Sequence, residues 1–176
     1  MAKGKTVKFY LATSYELHAS AELYVNWIEN NSDTQLKNTA RWIWDENDTD
    51  HVAQKAKMDF EDIDKADALI AFWPFGKGTS AEIAYAYAKG LQIIMYIPED
   101  FYDEGKIACM PVGLGIPLEY AEWHTGDGGP DESSEPWASA RYHPCHYSKK
   151  LLPTEPVIVH NLKGLSFALT LLTKRQ

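Results

Sequence analysis

Val7-Lys8-Phe9-Tyr10-Leu11-Ala12 is a run of strand-forming residues that ends at the polar turn Thr13-Ser14-Tyr15, and it predicts a first buried strand. From Glu16 to Asn30 the apolar positions fall at Leu17, Ala21, Tyr24, Val25 and Ile28. That is helical spacing, and Asn30-Asn31-Ser32-Asp33 stops it. Thr39 to Trp44 reads as a second strand. A helix through about Lys65 follows, capped by Asp48 or Thr49, with a stripe at Val52, Ala56, Phe60 and Ile63. Ala68 to Trp73 is continuously apolar, as a central parallel strand covered on both faces should be. Pro74 to Ser80 reads as a loop, Ala81 to Lys89 as a helix closed by Gly90, and Leu91 to Ile97 as a fourth strand.

Strands alternating with helices predict an α/β domain: a flavodoxin-like or Rossmann-like parallel sheet with helices on both faces. The second half is less regular. Residues 100–156 are rich in Gly, Pro and aromatics, with Gly126 to Pro130 as a clear loop, and form a long irregular insertion. Leu118 to Trp123 and Val157 to His160 are candidate late strands, and Leu162 to Lys174 a terminal helix. No internal repeat interrupts the pattern, so 1–176 is expected to be a single domain.

The formal net charge of −8 argues against a non-specific grip on a nucleic acid polymer, which needs clustered Lys and Arg. A small anionic ligand remains open to local donors. The apolar stretch after the N-terminus is too short for a signal peptide, and no segment approaches the ~20 apolar residues of a membrane span. With only Cys109 and Cys145, no disulfide framework is expected, and a cytoplasmic setting is the simplest reading.

In open parallel sheets, ligands sit beyond the carboxyl ends of the strands where strand order reverses. Thr13-Ser14-Tyr15, Trp44-Asp45-Glu46 and Pro74 to Ser80 fall there. The last opens a helix whose N–H groups favour an anionic oxygen, with Gly76 and Gly78 allowing close backbone approach. It matches neither a P-loop nor a dinucleotide fingerprint. Glu82 is placed in the first turn of that helix, where it either complements the helix dipole or serves as a nucleophile. A second acid, Asp59, on the preceding helix can face the same pocket, whereas Glu61, Asp62 and Asp64 read as a solvated face. His143-Pro144-Cys145-His146, with Cys109 and His124, is poorly spaced for zinc, so no metal and no cofactor are expected.

The ordered set Val7 to Ala12, Arg41-Trp42-Ile43, Asp59 with Ile63, Ala66 to Ile70, Gly78 to Ala86 and Gly90 resembles the nucleoside 2-deoxyribosyltransferase superfamily, including its nucleotide N-glycosidases. The likeness covers about the first hundred residues. It implies cleavage or transfer at the N-glycosidic bond of a (deoxy)nucleoside or nucleoside monophosphate, in a homodimer or higher homo-oligomer. It also implies Glu82 as the nucleophile that forms a glycosyl ester, and Asp59 as the group that orients or protonates the base. Tyr10, Thr13 and Ser14 would touch substrate, and Thr79 and Ser80 would hold a phosphate. Tyr10, Tyr15, Trp42 and Trp73 either stack on a base or belong to the core. Gly76 stands where the transferases carry a base-holding aspartate, which favours a hydrolase or a divergent ligand over base exchange. A non-catalytic nucleotide sensor on the same fold is the rival reading.

Overall fold

The structure is a computed structural model that describes residues 6–30, 36–44, 52–98, 100–101, 116–117 and 156–174. The expected cap at Asp48 or Thr49, the Gly126 to Pro130 loop, the Leu118 to Trp123 strand and the Cys/His group of 109–146 lie outside these residues.

Six parallel strands form one sheet: β1 (Val7–Ala12), β2 (Leu36–Asn38), β3 (Ala68–Phe72), β4 (Gln92–Tyr96), β5 (Ile116–Pro117) and β6 (Val157–Val159). Their order is β2-β1-β3-β4-β6-β5. The four α-helices among the described residues are α1 (His18–Asn30), α2 (Val52–Ile63), α3 (Lys77–Ala88) and α4 (Leu162–Lys174). The fold is therefore a doubly wound, flavodoxin-like α/β sheet. Right-handed crossovers put α1 on one face and α2 with α3 on the other, and α2 does pack against α3.

All of β3 is buried, which explains why it carries no polar residue: helices cover both of its faces. Tyr10 pairs with Leu69 and Ala12 with Ala71, so β1 and β3 end side by side. From β1 the chain winds outward to β2, and from β3 it winds the other way to β4. The reversal lies between these two strand ends, and α3 starts there.

Two expectations are corrected. Residues 39–44 are not a strand. The second strand is Leu36–Asn38, and Arg41–Trp44 is a 3-10 turn. Its first amide is captured by a carboxylate from another helix: Arg41 N–H donates to Asp62 Oδ2 at 3.0 Å, and local β-propensity yields. Helix α3 also begins at Lys77, four residues before the expected Ala81. Gly78, Thr79 and Ser80 are thus first-turn residues rather than loop, and Glu82 moves into the second turn. At the other end, Gly90 adopts φ of 72°, the left-handed conformation that stops the helix without side-chain strain.

Candidate active site

A cavity of about 640 Å³ opens at the carboxyl ends of β1 and β3. Each wall comes from a different element. The segment after β1 supplies Thr13, Ser14, Glu16 and His18, the 3-10 turn supplies Trp42, and α2 supplies Lys55, Met58 and Asp59. The start of α3 supplies Gly76, Lys77, Gly78, Thr79 and Glu82. On α2 the spacing 55, 58, 59 places three residues on one helical face.

Glu82 and Asp59 therefore meet at one cavity, although 23 sequence positions separate them. Tyr10, fully buried on β1, donates its hydroxyl proton to Glu82 Oε1 at 2.8 Å. The same hydroxyl also favours the charged form of Asp59. Burial and the two neighbouring carboxylates hold the Tyr10 phenol far above its ordinary range, so it keeps its proton and can donate it. Burial pushes the Glu82 carboxyl up to about 7, against the Tyr10 hydrogen bond, with the Asp59 charge adding to the rise. Burial likewise raises Asp59. The Tyr10 hydroxyl, Lys55 and Arg41 oppose this, and the Asp62 charge reinforces it. Two carboxyls in one cavity, both easier to protonate than usual, are the electrostatic pattern of acid–base chemistry.

Around them, several polar atoms are sealed from solvent without a hydrogen-bond partner among the described residues: Thr13 Oγ1, Ser14 Oγ, Thr79 Oγ1 and Asp59 Oδ1. Thr79 is only 2% exposed and Thr13 9%. Such groups cost free energy when left unpaired, so a run of them around one cavity marks a surface built to meet a polar ligand. Thr79 lies in the first turn of α3, whose N-cap is Gly76 with no side-chain capping bond. The backbone N–H groups of that turn are accordingly available to an anion.

Of the substrate-contact residues expected from sequence, Thr13, Ser14, Trp42, Gly78 and Thr79 line the cavity. Tyr10 lies behind Glu82. Ser80 is not on the cavity wall; its amide closes the first turn onto Gly76 O at 2.9 Å. Trp73 packs edge-on against Phe75, at 5.3 Å between centroids, and against Phe101. Trp42 donates its indole N–H to Leu11 O at 3.2 Å and lies 5.5 Å from the His18 ring. Sequence reasoning missed Glu16, His18, Lys55 and Met58, whereas Lys77 lies within the Pro74 to Ser80 segment expected at the strand ends. The helical spacing before Asp59 would have found Lys55 and Met58.

Among the described residues, no cluster of three His, Cys, Asp or Glu side chains is placed to hold a metal. No described helix is long and apolar enough to cross a membrane.

No protein-family model and no curated protein matches the chain. Among solved structures, the chain is similar to the Clostridium botulinum CMP N-glycosidase BcmB. The two are 25% identical with a TM-score of 0.44, over 60% of this chain and 78% of that one.

Proposed function

We propose that the protein is an enzyme that hydrolyses the N-glycosidic bond of a nucleoside monophosphate, with Glu82 as nucleophile. The observation that carries the reading is the Tyr10-held Glu82 sharing one cavity with Asp59 at the topological switch point. Breaking the C–N bond builds positive charge on the sugar, and a buried carboxylate is the group that stabilises it.

In the proposed mechanism, ionised Glu82 attacks the anomeric carbon while the C–N bond breaks and its electron pair leaves with the base. Protonated Asp59, or a water it holds, delivers a proton to the departing nitrogen. Water then attacks the glycosyl ester and gives its proton to Asp59, regenerating both carboxyls.

The rest of the cavity divides by chemistry. The unpartnered hydroxyls of Thr13, Ser14 and Thr79 and the uncapped start of α3 suit a 5′-phosphate. Trp42 and His18, with Met58 nearby, suit the flat face of a base. Gly76 offers no side chain to hold an acceptor base, which favours water as the acceptor. Homo-oligomerisation, a cytoplasmic setting and a single domain spanning 1–176 belong to the same reading.

The test is chromatography of a panel of nucleosides and nucleoside monophosphates incubated with the wild-type protein and with Glu82→Ala, each with and without an added acceptor base. Free base from a monophosphate, lost in the variant, supports hydrolysis. A new nucleoside formed only with acceptor turns the reading to transfer. Binding without turnover in either protein leaves a nucleotide sensor.

A further inference from the structure

Asp62 is one turn beyond Asp59 on α2 and only 1% exposed, yet it carries a full set of partners. Arg41 Nε donates to both of its carboxylate oxygens at 2.8 Å, Arg41 N–H donates at 3.0 Å, and Lys65 Nζ donates at 3.0 Å. Its backbone carbonyl accepts from Thr39 Oγ1, also at 3.0 Å. Burial alone would raise this carboxyl, but Arg41 and Lys65 hold it below the ordinary range, so it is an anion. The solvated role expected from sequence is therefore wrong for Asp62.

A buried ion pair is weak evidence of stability, since an apolar pair of the same shape does as well. What this one does is geometric. It ties the 3-10 turn of Arg41–Trp44 to the helix that bears Asp59. The next residue along the turn, Trp42, is a cavity wall, fastened at its other end through its indole N–H to Leu11 O.

We infer that Asp62 is a positioning residue: through Arg41 it sets the Trp42 face against α2 and so fixes where an aromatic base sits relative to Asp59. The inference rests on the nucleotide reading above. Without the clamp the turn loosens, the base loses its platform, and the sugar-phosphate contacts at the start of α3 stay as they were.

Asp62→Asn and Arg41→Gln test it. Arg41 is half exposed, so its variant tests the clamp even where the buried asparagine fails to fold. The expected result is a KM for the cleaved nucleotide raised about 10-fold or more, in line with losing a charged hydrogen bond. The kcat should stay within about threefold, and competitive inhibition by ribose 5-phosphate, which has no base, should not change. Amide hydrogen exchange over residues 39–44 should quicken by about 10-fold or more. An unchanged KM, a KM and ribose 5-phosphate constant that rise together, or unaltered exchange overturns the proposal. If wild-type protein frees no base from any nucleotide, the functional reading has failed, and the exchange measurement decides by itself whether Asp62 holds the turn.

Discussion

The Tyr10 hydroxyl and the Glu82 carboxylate, 72 positions apart in sequence, share a 2.8 Å hydrogen bond at the point where the sheet reverses its winding. The phenol is held protonated by burial, so toward ionised Glu82 the bond has one direction: Tyr10 donates and Glu82 accepts. Its effect on Glu82 is to favour the charged form that a nucleophile requires.

Removing that donor should therefore make Glu82 harder to ionise. Burial already brings it to about 7, and the Tyr10 bond pulls against that rise. In Tyr10→Phe the acid limb of the kcat/KM profile should move from near 7 to higher pH. The rate at the plateau should fall about 10- to 100-fold, the equivalent of one hydrogen bond to a charged group. A pH–rate series on both proteins reads both effects; an unmoved acid limb would show that Glu82 is not the group titrating.

The same carboxyl links the site to stability. Its folded value of about 7 lies above its ordinary 4.5, so the fold prefers the protonated form. That contribution is fully present below about 4.5 and is lost as pH rises through about 7. Glu82→Gln stays neutral throughout and should gain on wild type between pH 5 and pH 8, by on the order of 3 kcal/mol. Thermal or urea unfolding at the two pH values measures it. A constant difference between the proteins would contradict the buried, hard-to-ionise carboxyl described above.

Thr79 offers a cleaner separation of folding from binding. Its buried hydroxyl has no partner among the described residues, so Thr79→Val should leave the melting temperature unchanged or raise it slightly. If the hydroxyl meets a phosphate, the KM for a nucleoside monophosphate should rise about 10- to 100-fold. The KM for the matching nucleoside should stay put. Equal losses on both substrates would remove Thr79 from the phosphate end.

Much of this was legible in the residues. β1 spans the expected Val7–Ala12, and α4 the expected Leu162–Lys174, because the apolar run of the one and the helical periodicity of the other are strong and local. The two failures share a physical cause. Arg41–Trp44 is rich in β-formers, but its conformation is set by Asp62, twenty-one positions away from Arg41. Lys77 to Ser80 contains a glycine and polar residues and so reads as loop, whereas burial of Thr79 draws it into the helix. For the site, Asp59 and Glu82 could be named from the sequence pattern and the family resemblance. Tyr10, the donor to Glu82, could be named only as a substrate contact, since a hydrogen bond between a strand and a distant helix leaves no periodic trace.

The bare start of α3 at Gly76 carries a last consequence. A helix that starts from serine or aspartate caps itself; if a bound anion completes this one, as proposed, occupancy and rigidity of residues 77–80 become a single equilibrium. Gly76→Asp would supply the missing stopper from within and bring a repelling charge with it. Calorimetry with inorganic phosphate should then record weaker binding alongside a firmer helix. On the proposed reading, glycine at this position trades a permanent plug for one that arrives and departs with the ligand.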